Sequence, residues 1–201
     1  MNIRIKVFTV QVLSFLSDFI AASVFATLTW LFADALAIRI EPKTLFKTLT
    51  FALLTIAQAL SLAQLFSSIS LPQIVFWLQS IGLWLLFVAF ILDSHSKLQF
   101  LAILAIVFLF LFRDHLLLAI QAALIAITVL QIAHTTKHND LIPFGVGFVL
   151  IACAEFFYFL QRTKNFEEIA LAGDFLYVFA SIALFYWLWQ YLVIRFNLGK
   201  K

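Results

Sequence analysis

Seven apolar runs, most of them unbroken for about twenty residues, restrict this chain more than any other feature of its sequence. A run of that length matches the hydrocarbon thickness of a bilayer when it is helical. The composition excludes the alternative of a water-soluble core: 65% of residues are hydrophobic and 11% charged, and the mean hydropathy is +1.09. Soluble domains average about 45–50% apolar and about 25% charged residues, and a domain of this size cannot hide the excess. In lipid the backbone must satisfy its own hydrogen bonds, so only helices or a closed barrel can span. A barrel needs apolar and polar residues to alternate over segments of about ten. The runs here do not alternate, and the expected fold is an all-α polytopic integral membrane protein, a seven-helix bundle in one domain.

Taken in order, the expected helices are 7–36, 44–67, 71–92, 98–112, 116–133, 141–160 and 169–194. The first is over-long and tilts or protrudes. It begins after a short basic segment that resembles a leader, but its apolar run continues without a small-residue cleavage pattern, so it reads as uncleaved. Pro42, Pro72 and Pro143 stand at or near helix starts, where a missing N–H costs little. Only Arg113-Asp114-His115 separates 98–112 from 116–133; one helix through both would be about 54 Å long, so a tight hairpin is expected. Asn165 and Glu168 have the spacing of a capping box ahead of the last helix. That helix ends in Tyr186, Trp187, Trp189, Tyr191 and Arg195, the pattern of an interfacial aromatic belt with a basic anchor.

The net charge is +3, with basic residues spread over loops and termini. No basic run follows a phosphate backbone, which excludes a nucleic-acid partner. The expected partner is the lipid bilayer itself. With the N-terminus outside, the inner side collects Arg39, Lys43, Lys47, Lys97, Lys137, Arg195, Lys200 and Lys201; the outer side collects Arg4, Lys6, Arg113, Arg162 and Lys164. That excess of basic residues favours N-out, C-in, in the cytoplasmic membrane of a bacterium.

Three carboxylates fall at membrane depth: Asp18, Glu155 and Asp174. Counting along the helices puts all three in the same half of the bilayer, roughly 8–12 Å from one surface. An acid at that depth costs about 2.5–3.5 kcal/mol, so it faces the bundle and has a partner. Tyr158 and Tyr177, one turn from Glu155 and Asp174, are candidate partners. Two uses compete for these five residues: an interhelical hydrogen-bonded clasp, or a site for a cation, a proton or a polar ligand. Ser and Gln stripes mark the other helices: Gln11, Ser14 and Asp18; Thr50, Ser61 and Gln64; Gln73, Trp77, Ser80 and Trp84; Gln121, Thr128 and Gln131. The second of these stripes reads as interhelical packing, and the third as an interhelical seam or the lining of a pocket.

His134 and His138 have the i, i+4 spacing of a metal pair, with Asp93, His95 and Asp140 on the same membrane surface. These are also ordinary loop residues, and no metal or other cofactor is expected. His115 falls on the opposite surface and cannot join them. The single cysteine, Cys153, lies inside an apolar run and reads as a packing residue. No His-Glu-x-x-His, Gly-rich phosphate loop, nucleophile elbow or thiol pair occurs.

In topology, and in the last hairpin "GFVLIACAEFFYFLQ" and "GDFLYVFASIALFYWLWQYL", the chain resembles the seven-helix membrane regions of bacterial sensor and receptor-like proteins. The resemblance implies a stand-alone, sensor-like, ligand-binding membrane protein. Those regions commonly feed a cytoplasmic effector; here the sequence ends at Lys201, so the output is expected to pass through a partner protein. A proton- or cation-coupled carrier using Asp18, Glu155 and Asp174 is the alternative, followed by a metal-dependent membrane enzyme and a structural subunit of a membrane complex.

Overall fold

A computed structural model describes residues 3–66, 71–93, 114–164 and 167–195. These residues are helical almost throughout. The helices are α1 (Ile3–Ile38), α2 (Pro42–Phe66), α3 (Pro72–Asp93), α4 (His115–Thr136), α5 (Ile142–Lys164) and α6 (Glu167–Arg195), with one 3-10 turn, Asn139–Leu141, ahead of α5. Pro42 and Pro72 open α2 and α3, and Pro143 lies in the first turn of α5. All six helices are long and apolar enough to cross a membrane. The protein is an all-helical integral membrane protein. The expected helix at 98–112, its hairpin with 116–133, and the side chains of the capping box at Asn165 and Glu168 lie outside the described residues.

Each helix packs on its neighbours along the described chain, and α6 returns to pack on α1. The described helices therefore form a closed ring. Successive helices run antiparallel except α3 and α4, which run the same way: Ser80 and Gln121, each about two turns into its helix, meet by a 3.1 Å hydrogen bond. Across the ring closure α1 and α6 also run the same way, since Ser14 meets Asp174 and, further along both helices, Phe32 meets Trp187.

Helical spacing turns one stripe of each helix inward. On α5 that stripe is Phe144, Phe148, Ile151, Glu155, Tyr158; on α6 it is Asp174, Tyr177, Ser181, Leu184, Leu188. Both stripes are polar at one end and apolar at the other. The apolar ends meet across the ring. Phe144 lies 4.8 Å from Trp187, 5.1 Å from Phe148, 5.8 Å from Phe90 and 6.4 Å from Phe51, centroid to centroid. Phe32 of α1 stacks on Phe51 at 5.5 Å. One half of the interior is thus an aromatic plug built from α1, α2, α3, α5 and α6. Trp187, expected in the interfacial belt, belongs to it and is 7% exposed, whereas Tyr186 and Trp189 face outward. The reason is angular: Trp187 falls three residues after Leu184 on the inward stripe, and its two aromatic neighbours do not.

Outward faces are apolar around the ring, with Phe19, Trp30, Ile56, Ile81, Ile127, Phe156, Phe179 and Phe185 all exposed. Cys153 is exposed too, in an apolar groove between α4 and α5. It does not pack inside the bundle. Close packing of α2 on α3 depends on Gly82: Thr50 donates to its carbonyl at 3.0 Å, and a Cβ there would lie 3.3 Å from Thr50 O.

Candidate functional site

The polar ends of the inward stripes meet in the other half of the ring. Asp18 of α1 accepts a 2.7 Å hydrogen bond from Ser61 of α2. Asp174 of α6 accepts from Tyr158 of α5 at 2.6 Å and from Ser14 of α1 at 2.8 Å. Glu155 of α5 is bonded at Oε2 to His115 Nδ1 of α4 at 2.7 Å and accepts at Oε1 from Tyr177 of α6 at 3.2 Å. The buried Gln58 side chain of α2 lies close to the Tyr177 hydroxyl. Glu155 and Asp174 are 3% and 5% exposed. Asp18 lies within electrostatic range of both. The three acids expected to share a depth in the bilayer are therefore gathered in one region, each held by a donor from a different helix.

The tyrosines are exchanged relative to the sequence reading. Tyr158, one turn from Glu155 on α5, reaches across to Asp174; Tyr177, one turn from Asp174 on α6, reaches back to Glu155. A phenol is long enough to cross between helices. The rings lie 6.4 Å apart, centroid to centroid, and Tyr158 passes over Gly173, where a Cβ would lie 2.8 Å from Cε1.

His115 was not a candidate for this region. Asp114 explains its position. Its carboxylate accepts from the His115 N–H at 2.7 Å, and its carbonyl accepts from Leu117 N at 2.8 Å, so it caps α4. His115 becomes the first residue of the helix, level with the last turns of α5. The depth count that located Glu155 would have found it, had His115 been read as helix and not as loop. Ser61, expected to serve packing, and Ser14, expected on the polar stripe of Asp18, are both donors to the acids.

A cavity of about 470 Å³ opens at this end of the ring. Its walls include Ser61 and Gln64 of α2, Gln73 and Gln79 of α3, His115 and Arg162. Arg162 pairs with Asp114 at 3.2 Å at the rim. Ser61 and His115 thus have two contacts each: they line the cavity and they hold a buried acid.

The histidines considered for a metal lie elsewhere. His134 is exposed in the last turn of α4, His138 stands 3.5 Å from Asp140, and His95 lies outside the described residues. Among the described residues, no group of three or more His, Cys, Asp or Glu side chains is placed to hold a metal. Comparison with protein-family models, curated proteins and solved structures finds no match to this chain.

Proposed function

We propose that the protein is a sensor-like, ligand-binding membrane protein whose site is the three-carboxylate region reached through the polar cavity. The observation that carries this reading is the double role of His115 and Ser61: each lines the cavity and each holds a carboxylate. A small polar molecule entering the cavity competes for those donors and so acts on the acids behind them. The aromatic plug beneath favours binding over passage. The resemblance to bacterial seven-helix sensor regions supports the same reading, with a partner protein carrying the output.

The parallel course of α3 and α4 supports a seventh membrane-crossing helix between them, which makes the bundle seven-helical. The basic-residue asymmetry supports N-out, C-in in a bacterial cytoplasmic membrane, so the cavity faces the outside. Cysteine reporters in a Cys153→Ala background check this. Thr163→Cys should react with an impermeant maleimide in intact cells, and Thr136→Cys should react only after lysis. The opposite pattern reverses the orientation.

The ligand reading is tested by thermal unfolding in detergent against sodium, calcium, small amines, amino acids and small sugars. At least one class should raise the melting temperature of the parent protein, by an amount equivalent to about 2.7 kcal/mol at a hundred times its Kd. Asp18→Asn, Glu155→Gln and Asp174→Asn should fold and lose that response. If no class has an effect and the three amide variants melt like the parent, the region is a hydrogen-bonded clasp and the reading fails. The mutual proximity of the acids also favours a proton- or cation-coupled carrier; ion flux into sealed proteoliposomes, abolished by Asp174→Asn, would select it.

A further inference from the structure

We infer that His115 is a proton relay from the cavity to Glu155, and that Glu155 stores the proton without passing it across the membrane. His115 is the only described imidazole at this end of the ring. Its side chain is 38% exposed, it lines the cavity, and its Nδ1 lies 2.7 Å from a carboxylate oxygen that is itself deeply buried.

The step balances with water as the only other reactant. With Nδ1–H donating to the Glu155 carboxylate, Nε2 takes a proton from a hydronium in the cavity and leaves water. The Nδ1–H bond breaks as Oε2–H forms along the 2.7 Å contact. The imidazole is left neutral with its proton on Nε2, and the glutamic acid donates to Nδ1. The reverse sequence unloads it.

The groups around His115 are compatible with this cycle. Asp114 precedes it on α4 and is held by Arg162 of α5. Glu155 and Tyr158 of α5 face it, the tyrosine ring at 5.6 Å. Asp174 and Tyr177 of α6, and Asp18 of α1, stand behind Glu155. From α2 and α3 the cavity receives uncharged Ser61, Gln64, Gln73 and Gln79. Beyond Glu155 the polar chain runs to Tyr177, and among the described residues the buried polar groups further on, Ser181, Thr50 and Thr128, are hydroxyls that donate to backbone carbonyls, with no buried carboxylate or imidazole to take the proton. That is why the proton is stored and not conducted.

Infrared difference spectroscopy after a pH jump, on protein in nanodiscs, reads this directly. The parent should show a protonated-carboxyl band that Glu155→Gln removes. In His115→Gln, whose amide can still donate to Glu155, the band should reach the same final amplitude but form on the order of 10²-fold more slowly. In His115→Gly, imidazole added to the buffer should restore the rate, because the cavity holds it. A structural role for His115 predicts no such rescue. An unchanged rate in His115→Gln, or the absence of a Glu155 band in the parent, overturns the relay. A steady proton flux into proteoliposomes that Glu155→Gln abolishes overturns the storage. The ligand panel above reads cations, amines, amino acids and sugars, so failure of the ligand-binding reading leaves this result independent.

Discussion

Phe144→Ala is expected to destabilise the protein by about 3 kcal/mol, measured by reversible unfolding in mixed micelles. Burial of a phenylalanine in a soluble core is worth about 3–5 kcal/mol against alanine. Part of that value is transfer from water, which has no counterpart where the competing solvent is lipid. The cavity term remains, and Phe144 has more ring neighbours than any other described aromatic residue: Phe51, Phe90, Phe148 and Trp187. Four helices lose a shared contact at once. Phe144→Leu, which refills most of the volume, should cost about 1 kcal/mol. Equal effects for the two substitutions would show that the plug collapses freely and does not hold the ring.

Gly147→Val should be comparably damaging, for the opposite reason. A Cβ at Gly147 would lie 2.8 Å from Leu184 Cγ, 2.9 Å from Leu184 Cδ2 and 3.3 Å from the Ala180 carbonyl. The side chain can turn, but the carbonyl belongs to α6 and moves only with it. Overpacking of this kind costs about 1–3 kcal/mol, and here it also separates α5 from α6 in the apolar half of the ring. The variant should therefore melt earlier, with increased proteolysis of the last hairpin. Gly82→Ala provides the contrast. Its nearest neighbours would be the Thr50 carbonyl at 3.3 Å and Leu54 at 3.4 Å, with none under 3.0 Å, so the α2–α3 contact must give by only a few tenths of an ångström and the cost should fall below that of Gly147→Val. A Gly147→Val protein that unfolds like the parent would refute the close approach.

The six described helices were legible in the sequence because about twenty apolar residues in lipid have few alternatives. Their ends were less so. The apolar run starts at 7, but α1 already includes Arg4 and Lys6, because the apolar run marks where the hydrocarbon begins and a helix need not start at that level. The acids were legible through depth alone, as position along a helix converts directly into distance from the surface. Their partners were not. Sequence proximity assigned each tyrosine to the acid on its own helix, yet one turn of separation says nothing about which neighbour lies within reach across the interface. His115 was assigned to a loop because it adjoins Arg113 and Asp114, although the aspartate beside it is what starts the helix. Trp187 was grouped with its aromatic neighbours by composition, while its angle on α6 placed it inside.

The order in which the chain is made gives the acid cluster a further consequence, one of biogenesis. Asp18 enters the membrane 43 residues ahead of its donor Ser61. At ~5–20 residues per second it waits about 2–9 s for a partner. Glu155 and Asp174 arrive differently. His115 precedes Glu155 by 40 residues, Tyr158 precedes Asp174 by 16, and Ser14 precedes it by 160. Each of these acids meets a donor already in place. Asp174 of α6 is the residue that bonds back to α1, so the ring cannot close until α6 has been made. Asp18 is the one acid that depends on the insertion machinery for shelter. Ribosome-stalled chains ending shortly after α1 should stay bound to that machinery, and Asp18→Asn should release them.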